Sequence, residues 1–216
     1  MLLQLNIEKY IHFLNRLEIK IINKKLLIFD FDGTIVDSSP IHQKSFQEAL
    51  IDYNVIVDYE EIKGMRTRDA ILKIFNQSNV SISDKHLSNL VLKKQSLSQK
   101  YFSSISLMKD FEQFYIHAKS TYKLSIVSSA SRTSIDIALK KFNLEGGFDL
   151  ILSSESVDNA KPHPDGFLKA IKKFKFTPDE AIVFEDSFAG FLAAEKAGID
   201  CIDVTKISWS SLIKEI

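Results

Sequence analysis

Five short apolar runs punctuate the chain: Lys25–Phe29, Leu124–Val127, Asp149–Leu152, Ala181–Phe184 and Cys201–Val204. None alternates cleanly between apolar and polar residues, which fits strands covered on both faces. Between the last four, apolar residues recur at helical spacing. One such segment runs from Thr133 to Phe142 through Ile135, Ile137, Ala138 and Leu139, and a second from Asp165 to Phe174 through Phe167, Leu168, Ala170 and Ile171. A third runs from Ala189 to Ala197. Strands alternating with helices predict a parallel α/β sheet.

The stretch from Ser38 to about Ser104 breaks this rhythm, with helical patterns over Ile41–Leu50, Thr67–Phe75 and Ser83–Leu97 and no strand run. Ser83 is placed to cap the last of them. The expected organisation is therefore a core made of residues 1–36 and 106–216, with an all-helical block, residues 37–105, inserted after the first strand. Residues 5–21 carry a stripe of Ile7, Tyr10, Ile11, Leu14, Leu17 and Ile21. It predicts a helical extension over 1–24 packed on the core, with a dimer contact as the alternative.

At 216 residues, with 45% hydrophobic, 11% aromatic and 26% charged content, the chain has the composition of a globular protein. Its 28 basic and 28 acidic residues cancel, which argues against a nucleic-acid or polybasic membrane partner. Seven Gly and four Pro exclude low-complexity character, and the single Cys201 allows neither an internal disulfide nor a paired-cysteine metal site. No apolar run reaches the ~18–20 residues of a membrane span. Polar residues also interrupt the N-terminus too early for a secretory signal. The expectation is a soluble, cytoplasmic protein, monomer or homodimer.

In an open parallel sheet, ligands bind outside the carboxyl ends of the strands. The first strand runs out into Asp30-Phe31-Asp32-Gly33-Thr34, the second into Ser128-Ser129-Ala130-Ser131-Arg132. The third leads through Ser153 and Ser154 to Lys161-Pro162-His163-Pro164, and the fourth ends in Glu185-Asp186-Ser187. Each residue alone reads as an ordinary turn, cap or loop residue. Together, on successive strand ends, they suit phosphoryl transfer. Asp30 can attack phosphorus as a carboxylate, and Asp32, two residues on across a turn enabled by Gly33, can protonate the leaving oxygen and then activate water. Asp30 and Asp186 offer hard oxygen ligands for Mg²⁺. Lys161 offsets negative charge. Ser129 and neighbouring N–H groups can hold a phosphate oxygen, with Ser131 opening the next helix.

These segments resemble the four motifs of the haloacid dehalogenase superfamily. The first is Asp30-Phe31-Asp32-Gly33-Thr34-Ile35-Val36-Asp37-Ser38, the second Ile126-Val127-Ser128-Ser129-Ala130-Ser131. The third is Lys161-Pro162-His163-Pro164-Asp165, and the fourth Val183-Phe184-Glu185-Asp186-Ser187-Phe188-Ala189-Gly190. The resemblance implies a Rossmann-like parallel sheet with helices on both faces and a helical cap between the first and second motifs. It implies Asp30 as nucleophile, Asp32 as acid and base, and Ser129 and Lys161 as phosphate and charge stabilisers. It implies Mg²⁺ held by Asp30, the Asp32 carbonyl and Asp186, with Glu185 beside it. The nearest branch in appearance holds phosphoglycolate-phosphatase-like and β-phosphoglucomutase-like enzymes, where a histidine matching His42 links cap and core.

The resemblance also bears on the reaction. Dehalogenases of the superfamily lack the second aspartate of the first motif, so Asp32 favours phosphoryl chemistry. Mutases need a cap arginine for a second phosphate; the aligned position here is Thr67, flanked by Arg66 and Arg68. With Thr34, this leans towards a Mg²⁺-dependent phosphatase of small phosphorylated metabolites. The alternatives are a sugar-phosphate mutase and a catalytically silent phospho-ligand module. The expected substrate contacts are Gly33, Thr34, His42, Ala130, Ser131 and Arg132, with Gly64, Met65, Arg66, Thr67 and Arg68, and Lys94 further off, reading the substrate from the cap. Cap hinges are expected near 37–40 and 103–107.

Overall fold

The computed structural model describes residues 21–216, so nearly all of the predicted N-terminal extension lies outside the described residues. The strands are β1 (Leu26–Phe29), β2 (Val36–Asp37), β3 (Ser106–Leu107), β4 (Lys123–Val127), β5 (Leu150–Leu152), β6 (Ala181–Glu185) and β7 (Asp200–Asp203). The α-helices are α1 (Ser39–Ala49), α2 (Thr67–Gln77), α3 (Asp84–Tyr101), α4 (Phe111–Ala118), α5 (Arg132–Lys141), α6 (Asp165–Phe174), α7 (Phe188–Ala197) and α8 (Trp209–Leu212). All five predicted strand runs form strands, and they make one parallel sheet in the order β5-β4-β1-β6-β7.

Strand β1 lies at the centre and has no solvent-accessible residue. Because successive side chains leave a strand on opposite faces, Leu27 and Phe29 enter one core and Leu26 and Ile28 the other. On the first face Phe29 meets Phe184 at 4.9 Å between ring centroids, Phe111 at 5.8 Å and Trp209 at 6.0 Å. This aromatic cluster binds α4 and α8 to the sheet, beside α5 with Ile135, Ala138 and Leu139. The other face is covered by Phe167, Ala170 and Ile171 of α6 and by Phe191, Ala193, Ala194 and Ala197 of α7. The small side chains of α7 let its backbone approach the sheet closely.

Helices α1 to α3 carry an apolar cluster of their own, in which Phe46 of α1 packs with Ile71, Ile74 and Phe75 of α2 and Leu87 and Leu90 of α3. Both stems of this block pair as a short antiparallel ribbon, Val36 opposite Leu107 and Asp37 opposite Ser106. Two-residue strands carry no periodic signal, so the pattern of apolar positions did not show them. Ser83 caps α3, accepting the His86 N–H on its hydroxyl. Ser83→Ala is expected to cost the helical block about 1 kcal/mol, read as a shift of the denaturant midpoint with unchanged slope.

The chain leaves β1 towards β4 and β5 on one side and returns to β6 and β7 on the other. The order therefore reverses between β1 and β6, and the carboxyl ends of those two strands border the crevice this topology creates. Asp30 follows β1 directly and Asp186 follows β6 directly.

Candidate active site

Asp30, Glu185 and Asp186 are buried, and each offers a carboxylate oxygen within 4.8 Å of the others. Lys161 enters from the loop before α6, its Nζ 2.5 Å from Asp30 Oδ1 and 2.6 Å from Glu185 Oε1. Lys63, on the loop before α2, places its Nζ 2.6 Å from Asp186 Oδ2. Three carboxylates thus meet two ammonium groups, leaving the cluster one positive charge short of neutrality. Burial, reinforced by Glu185, pushes the Asp186 carboxyl up to about 7 against the pull of Lys63. Burial also holds Asp30 well above the usual carboxylate range, although Lys161 pulls the other way. For Lys161 itself the carboxylates outweigh burial and raise it.

Glu185 differs from its two neighbours. Its Oε2 accepts from the N–H groups of Asp186 and Ser187, both at 2.8 Å, and from the Ser187 hydroxyl at 2.9 Å. With Oε1 on Lys161, this carboxylate holds the 185–187 turn and orients the lysine. Two glycines let other backbone segments close on the same turn. A Cβ at Gly33 would lie 1.8 Å from Asp186 Oδ2, and one at Gly64 would lie 2.2 Å from Ser187 Oγ. Both have φ near +80°, a region where side chains are strained in any case.

Asp32 stands apart from the cluster. Its Oδ1 accepts from the Ser38 hydroxyl at 2.5 Å and meets His42 Nε2 at 3.0 Å. His42 Nδ1 in turn lies 2.8 Å from Lys94 Nζ, a buried ammonium on α3. Burial works to raise the Asp32 carboxyl, but His42, Ser38 and Lys94 together hold it below the ordinary value. Burial lowers Lys94 to about 8. The chain Asp32–His42–Lys94 therefore ties the core to the helical block through side chains. Asp32, His42 and Lys94 line one cavity of about 400 Å³, together with Asp30, Ser129 and Ser131.

The expected contacts divide into those the structure brings to this cavity and those it does not. Gly64, Met65, Arg66, Thr67, Arg68, Ala130 and Ser131 also border it. Ser131 caps α5, accepting the Ser134 N–H. Ser129 donates its hydroxyl to the Gly64 carbonyl at 2.7 Å. Arg66, read as a substrate contact, instead donates from Nη2 to the carbonyls of Ser154 at 2.7 Å and Val157 at 2.6 Å. It clasps the core, because the carbonyls of Ser154, Val157 and Asp158 all accept from its guanidinium. Arg68 ion-pairs with Asp84 at 2.7 Å on the surface of the helical block.

Three residues do not reach the cavity wall. Arg132 points along the outside of α5, pairing through Nε with Asp136 at 2.9 Å, because the first turn of a helix aims successive side chains about 100° apart. Thr34 is wholly buried, and Gly33 faces Asp186. Sequence reading missed Lys63 and Ser38. Ser38 closes the first motif and was legible as a partner for Asp32. Lys63 was not, since nothing local distinguishes a loop lysine that meets a carboxylate far along the chain.

The carboxylate set fits a hard divalent cation: all-oxygen donors, buried, with a net negative charge that burial disfavours. Among the described residues no helix is long and apolar enough to cross a membrane. Residues 27–204 match the family model of the haloacid dehalogenase-like hydrolases. The chain is 28% identical over 186 residues to the fructose-1-phosphate phosphatase YqaB of Escherichia coli (strain K12), covering 82% of this chain and 95% of that protein. It is 25% identical over 181 residues to a phosphorylated carbohydrates phosphatase of Thermotoga maritima, covering 82% of each. Its fold is like that of a β-phosphoglucomutase from Clostridium difficile, with a TM-score of 0.75 and 24% identity over 82% of this chain and 83% of that one. Spanning the sheet, the inserted helices and all four strand-end motifs, these matches show that the chain belongs to the haloacid dehalogenase-like hydrolase family.

Proposed function

We propose that this phosphatase hydrolyses the phosphoric monoesters of small phosphorylated carbohydrates, through an aspartyl-phosphate on Asp30 and with Mg²⁺ as cofactor. The observation that carries the reading is the clustering of Asp30, Lys161 and Asp186 at the point where strand order reverses, beside a cavity holding Asp32. The named carbohydrate phosphatases among the relatives support the substrate class.

In this mechanism the Asp30 carboxylate attacks phosphorus, and Lys161 steadies the attacking oxygen and the incoming charge. Both Asp32 hydrogen bonds fall on Oδ1, leaving Oδ2 for proton exchange. A phosphate dianion arriving beside Asp32 raises its affinity for a proton, which fits it to protonate the leaving oxygen. Asp32 then takes a proton from water as that water attacks the acyl phosphate. Ser129 and the N–H groups around Ala130 bind non-bridging oxygens once the hydroxyl leaves the Gly64 carbonyl. Asp30 and Asp186 would hold the cation, with the Asp32 carbonyl, and the cation would offset charge on the transferring group. Helices α1 to α3 act as a cap over residues 37–105, moving on stems 37–40 and 103–107.

The deciding experiment incubates the protein and Mg²⁺ with a panel of phosphorylated sugars, measuring free phosphate and isomerised sugar phosphate. Free phosphate is expected. Isomerised hexose phosphate without phosphate release would replace this reading by the mutase. The residue aligned with the mutase arginine is Thr67; Arg66 is engaged by core carbonyls and Arg68 pairs with Asp84, which supports the phosphatase reading.

A further inference from the structure

The loop entering α2 docks on the core at three places. Lys63 ion-pairs with Asp186 Oδ2, the Gly64 carbonyl takes the Ser129 hydroxyl, and Arg66 clasps the carbonyls of Ser154 and Val157. Two of those core partners, Asp186 and Ser129, are residues that the proposed mechanism gives to the cation and the phosphate. The Lys63 and Asp186 side chains are only 13% and 2% exposed, so the charges meet where water screens them weakly. Gly33 also packs closely on the same carboxylate oxygen, where even a methyl group would collide. Asp186 Oδ2 thus has little room for a second positive partner.

We propose that Lys63 competes with the divalent cation for Asp186, so that cation binding releases the cap loop and loop docking weakens cation binding by the same factor. The inference rests on the cation site proposed above. The Lys63 ammonium, 2.6 Å from Oδ2, supplies positive charge that the cation would bring, although the buried oxygen accepts no hydrogen bond. A cation on the same carboxylate repels the ammonium, and the loop loses one of its three anchors. Gly64 follows Lys63 directly, so displacement of the lysine also loosens the carbonyl that occupies the Ser129 hydroxyl. Loading the cation in this way prepares the phosphate-binding hydroxyl before substrate arrives.

The test titrates Mg²⁺ into the intact protein by calorimetry, for wild type, Lys63→Met, Lys63→Arg and Asp186→Asn. Lys63→Met is expected to bind Mg²⁺ about tenfold more tightly, within the usual range of coupling between two sites. Lys63→Arg is expected to stay near wild type, since its guanidinium keeps a cation on the carboxylate. Equal or weaker binding by Lys63→Met overturns the proposal while leaving the cation site standing. Loss of a positive charge alone would also tighten binding, so hydrogen exchange over residues 62–67 is read in parallel. Mg²⁺ is expected to speed that exchange in wild type and to leave it unchanged in Lys63→Met. No acceleration in wild type overturns the competition. Failure of wild type to bind Mg²⁺, or wild-type affinity in Asp186→Asn, removes the cation site and this proposal with it.

Discussion

Asp30→Asn is expected to lower phosphate release by roughly a thousandfold or more, because the amide cannot attack phosphorus and no second carboxylate occupies its place. Glu185 lies closest in kind, but its four hydrogen bonds commit both its oxygens. The fold should survive the change. Asp30 is buried with its carboxyl held well above the ordinary range, so the charged form is a cost to the folded protein. Replacing it with a neutral isostere removes that cost, and Lys161 keeps Glu185 as a partner at 2.6 Å. The melting temperature is expected to hold or rise while turnover vanishes. Wild type should also trap an acid-labile phosphoryl group that the variant does not. Turnover near wild type in Asp30→Asn would end the aspartyl-phosphate reading.

Lys161→Met is expected to destabilise the metal-free protein by about 3–5 kcal/mol at neutral pH, the usual cost of leaving a buried charge uncompensated. Its ammonium is the common partner of Asp30 and Glu185, and its side chain is 5% exposed. The loss depends on pH in a definite direction. The Asp186 carboxyl sits at about 7 in the folded protein against an ordinary 3.8. The folded state therefore binds more protons than the unfolded one between those values, and its stability falls as pH rises through that window. Removing Lys161 raises the proton affinity of the carboxylates further, so the penalty should be smaller at pH 5 than at pH 8. Mg²⁺ should recover part of it by restoring positive charge. Denaturant melts at the two pH values, with and without Mg²⁺, check this; equal stability of variant and wild type at both would refute the cluster's charge balance.

The strands and helices of the sheet were legible because each carries its own signal. A fully buried strand reads as a continuous apolar run, as Leu26–Phe29 does, and an amphipathic helix as a recurring stripe, as Asp165–Phe174 does. The inserted block was legible through the absence of strand runs between Ser38 and Ser104. The β2–β3 ribbon was not, since two residues cannot show a period. Asp30, Lys161, Glu185 and Asp186 stand out in the sequence because each follows, ends or leads from a strand, and the structure brings the four together. Charge and place in the chain point to Arg66, Arg68 and Arg132 as substrate contacts, and the first two do border the cavity. The structure spends the first on core carbonyls and pairs the other two with Asp84 and Asp136.

By itself, the order of residues determined the alternation of strand and helix, the place of the inserted helices and the identity of the groups at the strand ends. Those properties follow from local periodicity and from the fact that a parallel sheet aligns its carboxyl ends. Only the tertiary structure decided which charges meet: Lys63 with Asp186, Lys94 with His42, Arg66 with the 154–157 carbonyls. Long cationic side chains reach any of several partners, and the choice among them is made by the packing of helices on the sheet, which no local pattern encodes.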